Sequence, residues 1–154
     1  MHFTGLLYRA VGRQRALNGG NPDDPGDALI ACDFPDHLMA DPELRSEATG
    51  GLASRVSVHP GVRAALYDLQ RAFATQSGGA VLDGRDIGTV IAPEAEVKLF
   101  VVASVPARAE RRFKEMQATG RSVSLAEIAA DLEARDARDR SRAEAPLVAA
   151  NDAV

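Results

Sequence analysis

Apolar residues recur at near-helical spacing from Gly5 to Leu17, at Leu7, Ala10, Val11 and Leu17, and Gly19-Gly20 ends the run, so a helix is predicted there. Residues 21–45 carry Pro22, Pro25, Pro35 and Pro42 among several aspartates. This reads as a mostly irregular excursion with a turn or two of helix at Ala28–Ala31. Ser46–Val58 has a helical pattern weakened by Gly50-Gly51, and Pro60 separates it from the next stretch. Val62, Leu66, Leu69 and Phe73 then fall at i, i+4, i+7 and i+11, the stripe of an amphipathic helix.

Beyond Gly78-Gly79 the pattern changes. Ala80-Val81-Leu82 is a short apolar run ending in Asp83-Gly84, as expected of a buried parallel strand that delivers a loop at its C-terminal end. Val97–Val102 predicts a second strand. Ser104 can cap the helix that follows, with Pro106 in its first turn and Ala109, Phe113 and Met116 on one face before Gly120. Ser124 with Glu127 has the spacing of a capping box and opens a last helix carrying Leu125, Ile128 and Leu132. Strand, helix, strand, helix implies α/β layering in a single domain.

Composition narrows this little: 154 residues at 45% hydrophobic and 26% charged suit a soluble globular domain, while 5% aromatics and no Trp leave the core to Ala, Leu, Val and Ile. A net charge of −4 argues against a general nucleic-acid binder. A single cysteine, Cys32, allows neither an internal disulfide nor a Cys-based zinc site and fits a reducing cytoplasm. No run approaches the roughly 18 apolar residues of a membrane span, and no signal pattern opens the chain. All but two of the 18 basic residues are arginines, the side chain suited to two-point contacts with phosphates and base edges.

Three segments can carry chemistry. The densest is Arg135-Asp136-Ala137-Arg138-Asp139-Arg140-Ser141-Arg142. On a continuous helix Arg135, Arg138 or Asp139, and Arg142 share a face, which is either an anion pincer or a solvated run of alternating pairs. The second is Leu82-Asp83-Gly84-Arg85-Asp86-Ile87-Gly88-Thr89, where a strand leads into acids, an arginine and glycines that permit close backbone approach. Its alternative is a turn closed by a salt bridge. The third, Thr4-Gly5-Leu6-Leu7-Tyr8-Arg9, places a hydroxyl near a helix start five residues before an arginine.

In this order the three segments resemble the bacterial cytidylate kinases along nearly the whole chain. The resemblance is strongest in Asp83-Gly84-Arg85-Asp86-Ile87-Gly88-Thr89 and in Arg135-Asp136-x-Arg138-Asp139-x-x-Arg142-x-x-x-Pro146-Leu147. It implies a P-loop-kinase-like parallel sheet with flanking helices and transfer of the ATP γ-phosphoryl group, with Mg²⁺, to CMP or dCMP. It also implies a cytoplasmic enzyme that is monomeric when intact. Carried over by position, Thr4, Arg9 and Arg85 hold the CMP phosphate. Ser54, Arg63, Asp86 and Arg142 read the cytosine edge, and Arg135 and Asp139 reach the sugar. Arg85, Arg135 and Arg142 are the candidates for offsetting charge in transfer, and Arg111 or Arg112 lies on the ATP side. Residues 21–75 form the excursion over the acceptor nucleotide, and about 121–142 the lid region.

The resemblance has gaps. Kinases of this family begin with a strand and a G-x-x-x-x-G-K-[ST] loop, yet neither Lys98 nor Lys114 follows a glycine-rich turn. Phe3 stands where the family has an acid, and the chain stops at Val154 where the family continues into a strand and a helix. The expectation is a sheet lacking its first strand, with the P-loop, and its last, marginally stable or self-associating, with little or no turnover. A non-catalytic pyrimidine-nucleotide-binding remnant, or a subunit complemented by a partner, is the competing reading.

Overall fold

The computed structural model describes residues 2–118, 120, 122–141, 143 and 145–154, with side chains from Thr4 onward. Two short strands, β1 (His2–Phe3) and β2 (Leu82–Asp83), pair in parallel with His2 opposite Leu82 and Phe3 opposite Asp83. Each strand runs straight into a predicted site segment, so the pairing places Thr4 beside the loop that begins at Gly84. The Thr4 hydroxyl donates to the Asp83 carbonyl at 2.9 Å. A Cβ on Gly84 would collide with the Thr4 Oγ1, so the close approach of the two segments requires glycine here.

Helix α1 (Thr4–Leu17) ends as its sequence predicts: Gly19 takes φ 71°, and the Gly19 and Gly20 amides donate to the Ala16 and Arg15 carbonyls at 3.1 and 3.2 Å. The excursion is more regular than its prolines suggest. It contains α2 (Pro25–Ile30), capped by the Asp24 side chain, and two turns of 3₁₀ helix at Asp36–Ala40 and Pro42–Arg45. Helix α3 (Glu47–Val56) runs unbroken through Gly50-Gly51, with the Ser46 hydroxyl accepting from the Thr49 amide at 3.2 Å. Its close packing on α1 uses another glycine: a Cβ at Gly12 would lie 2.9 Å from the Leu52 Cβ.

Helix α4 (Pro60–Ala74) completes an all-helical body whose core comprises Leu7, Tyr8, Val11, Ala28, Ala31, Ala53, Val56, Val62 and Leu66. Only the first half of the predicted α4 stripe is buried. Leu69 is exposed and Gln70 is buried in its stead, its amide donating to the Leu66 carbonyl. Helix α5 (Val105–Ala118) packs on α6 (Leu125–Ser141) through Ala109 and Ile128. The capping box that opens α6 is formed: the Ser124 amide donates to Glu127 at 2.9 Å and the Glu127 amide to the Ser124 hydroxyl at 3.2 Å.

The Val97–Val102 run departs from its prediction. It forms no regular strand among the described residues, and Val97, Leu99 and Val101 are 75%, 72% and 88% exposed. Its backbone bonds join the chain end: the Phe100 amide donates to the Val154 carbonyl at 2.9 Å, and the Val154 amide to the Lys98 carbonyl at 3.0 Å. That is the geometry of a parallel pair. A cleft lined by Leu82, Val97, Leu99 and Phe100, and by Val148, Ala150 and Ala153 of the chain end, lies between this run and β2. A β-prone run gains its burial from neighbours on both sides, and here one side is open. No described helix is long and apolar enough to cross a membrane.

Candidate functional site

A cleft opens at the C-terminal ends of β1 and β2. Its walls come from four separate stretches: Thr4 and Tyr8 of α1, Ser54 and Ser57 at the end of α3 with Arg63 of α4, Arg85 and Asp86 after β2, and Arg135 and Asp139 of α6.

The loop after β2 is held by an unusual turn. The Val90 and Ile91 amides donate to the Asp86 carbonyl at 2.8 and 3.3 Å, and the Ala92 amide to the Ile87 carbonyl at 2.7 Å, a single π-type turn over Ile87–Ile91. Asp86 precedes it with its side chain turned into the cleft. The Arg63 guanidinium donates to the Asp86 carboxylate and, at 3.3 Å, to the Ser57 carbonyl. The same guanidinium lies 5.7 Å from the centre of the Tyr8 ring, which fixes its plane. On the opposite wall Arg85 donates to Asp139, which is 3% exposed. Two buried acids are thus each paired with an arginine of another segment.

Among the described residues Arg135 shows no such ion pair. Its Nε is buried without a hydrogen bond. Burial, then the neighbouring Arg85, push its guanidinium down to about 10, with Arg9 and Arg112 adding and Asp139 opposing. Arg9 is lowered too, by burial and next by Arg112. Four guanidinium groups, from Arg9, Arg85, Arg112 and Arg135, thus repel across one region. Such a set is favourable when an anion sits among them.

The structure treats the eleven predicted site residues unequally. It brings Thr4, Ser54, Arg63, Arg85, Asp86, Arg135 and Asp139 to the cleft wall. Arg9 belongs to the cationic cluster, but its Nη1 donates to the Leu44 and Ser46 carbonyls at 2.7 and 2.8 Å, anchoring the excursion to α1. Arg112 pairs with Glu47 and stands within the same cluster, whereas Arg111 points to solvent near Glu115 at 3.9 Å. Arg142 lies outside the described residues. Three other participants have no role assigned from the sequence, although Tyr8 and Arg138 lie inside its motif segments. Tyr8 and Ser57 carry no charge to advertise them, and Arg138 donates from Nε to the Ser54 hydroxyl at 3.0 Å. For Arg138 the only available signal was its place on the charged face of α6.

Arginines and carboxylates converging beyond the carboxyl ends of parallel strands define an α/β protein with a cleft for a small anionic ligand. The cytidylate kinase family profile matches residues 36–154. The chain is 55% identical over 152 residues to the cytidylate kinase of Caulobacter sp. (strain K31), covering 98% of this chain and 70% of that protein. Against the cytidylate kinase of Azorhizobium caulinodans the identity is 56% over 152 residues, covering 98% and 73%. Against that of Rhodopseudomonas palustris (strain BisA53) it is 53% over 151 residues, covering 97% and 72%. The chain belongs to the cytidylate kinase family, and with it to the P-loop kinase fold.

That family uses ATP, usually with Mg²⁺. The described residues do not fit a cradle for it. Neither lysine follows a glycine-rich turn that could cradle its phosphates.

Proposed function

We propose that these residues form the acceptor-nucleotide half of a cytidylate kinase, the part that holds CMP or dCMP for phosphorylation by ATP. The observation that carries the reading is the convergence of Arg63, Arg85, Asp86, Arg135 and Asp139, from three distant stretches, on one cleft. In this reading Thr4 and Arg85, with Arg9 behind them, hold the phosphate, and Ser54, Arg63, Asp86 and Arg142 meet the cytosine edge. Arg135 and Asp139 reach the sugar. Residues 21–75 close over the base, and about 121–142 form the lid region.

Cytosine offers one exocyclic amino donor and two acceptors, which suits a carboxylate beside donor-only guanidinium groups; uracil's imide does not. In transfer, arginines positioned around the phosphate offset developing charge and closure excludes water. No covalent enzyme intermediate is needed.

The finer reading is that the 154 residues alone bind the acceptor and turn over slowly, because the donor cradle is not among them. The open cleft between β2 and the 97–100 run supports this, and it also fits a module completed by a further strand. Isothermal titration with CMP, UMP and AMP is the test. Selective CMP binding is expected, together with little conversion of CMP to CDP when ATP and Mg²⁺ are supplied. Equal or absent binding of all three nucleotides overturns the acceptor assignment, and ordinary enzymatic turnover overturns the finer reading.

A further inference from the structure

Arg138 stands on α6 between Arg135 and Asp139, and its Nε–H reaches across to the Ser54 Oγ on α3 at 3.0 Å. Ser54 is 4% exposed and lines the cleft beside Arg63 and Asp86. The Ser57 hydroxyl donates to the Ser54 backbone carbonyl at 3.1 Å, whereas the Ser54 hydroxyl accepts from Arg138. We propose that Arg138 is a positioning residue that sets the hydrogen-bond polarity of Ser54, and through it the preference for a 4-aminopyrimidine over a 4-oxopyrimidine. The inference rests on the acceptor-nucleotide reading above.

A serine hydroxyl has one proton to give and two lone pairs to receive with, and its rotation ordinarily lets it serve either kind of partner. A guanidinium N–H only donates. Once Arg138 occupies a lone pair of Ser54, the hydroxyl proton is turned away from α6, and the adjacent positive charge makes that O–H a stronger donor. The wall then presents one carboxylate acceptor, Asp86, and donors at Arg63 and Ser54. A 4-aminopyrimidine matches this with its amino group and two ring acceptors. A 4-oxopyrimidine sets an oxygen against the carboxylate and an N–H against the donors. Discrimination of this kind comes from the groups a wrong ligand leaves unpaired.

The test is calorimetric titration of the 154-residue chain with CMP and UMP, comparing wild type with Arg138→Met, Arg138→Gln, Ser54→Ala and the Met/Ala double variant. Glutamine carries its amide nitrogen on Cδ, as arginine carries Nε, so it keeps a donor while losing the charge. Arg138→Met is expected to weaken CMP about fivefold to tenfold, the size of one hydrogen bond, and to leave UMP within about twofold. Arg138→Gln should recover most of the selectivity, and the double variant should be no worse than the worse single, because both remove the same contact. Equal losses for CMP and UMP, or Met and Ala losses that add, overturn the proposal. If the Met variant does not fold, Ser54→Ala alone decides, since it must lower CMP affinity and spare UMP. A wild type that binds CMP and UMP alike removes the acceptor reading itself, a different failure from additive losses in a selective wild type.

Discussion

Replacing Arg135 with methionine should make the free chain more stable and less responsive to anions. The guanidinium is held at about 10, well below its ordinary range, chiefly by burial and then by Arg85, and its Nε has no partner. Each pKa unit corresponds to about 1.4 kcal/mol. Keeping Arg135 charged therefore costs the folded chain at most about 3.5 kcal/mol, and nearer 1–2 kcal/mol once its partial exposure to water is allowed for. Methionine keeps most of the aliphatic stem and removes both the charge and the orphaned N–H. A gain of about 1–2 kcal/mol is expected, or roughly 2–8 °C in Tm for a domain of this size.

The sign of the pH dependence follows. A base whose folded pKa lies below its unfolded one is penalised wherever it is protonated in both states, and the penalty fades only as pH rises through about 10. The gap between variant and wild type should therefore be flat from pH 6 to 9. Urea melts at constant ionic strength, with and without inorganic phosphate and then CMP, measure both effects. Phosphate should stabilise the wild type by mass action, and the variant by less than half as much. A variant less stable than wild type in phosphate-free buffer, or one that responds equally to phosphate, would refute the reasoning.

Two further outcomes concern the scaffold. Gly12→Ala should cost about 1–3 kcal/mol in urea melts, because the new Cβ would sit 2.9 Å from the Leu52 Cβ and force α1 and α3 apart. Asp136→Asn should cost about 1–3 kcal/mol at pH 7, since both Asp136 oxygens accept from Arg108, at 2.9 and 2.6 Å. Arg108 holds that carboxyl below the usual range, so its contribution is present above about pH 4 and is lost as pH falls through the lowered value. Melts at pH 7 and pH 3 should show the difference between wild type and variant shrinking.

Local chemistry was the most legible part of the sequence. Gly19-Gly20 and Ser124/Glu127 specify the end of α1 and the start of α6 by hydrogen bonds within a few residues, and both appear as read. Elements that depend on distant neighbours were less so. Val97–Val102 has strand composition, but pairing requires a second backbone, and among the described residues the chain end alone supplies one. Gln70 takes a core position that periodicity assigns to Leu69: its amide nitrogen donates to the Leu66 carbonyl one turn back, while its Oε1 is buried without a hydrogen bond among the described residues. In the site, the motifs marked which residue types matter but not which pairs form. The meeting of Arg85 with Asp139, 54 residues apart, and of Arg138 with Ser54, 84 residues apart, depends on how α6 lies across the end of α3. Arg9 shows the same limit. Its charge is plain in the sequence, while its use as an anchor for two carbonyls belongs to the path of the excursion.

If Arg63 and Asp86 read the base as proposed, their pairing beside the Tyr8 ring means that this wall is already neutralised before any nucleotide arrives. An incoming base exchanges contacts with that couple and adds few. Its enthalpy of docking should be small, and the rejection of a mismatched base should be felt as the breaking of an existing internal bond with nothing gained in return.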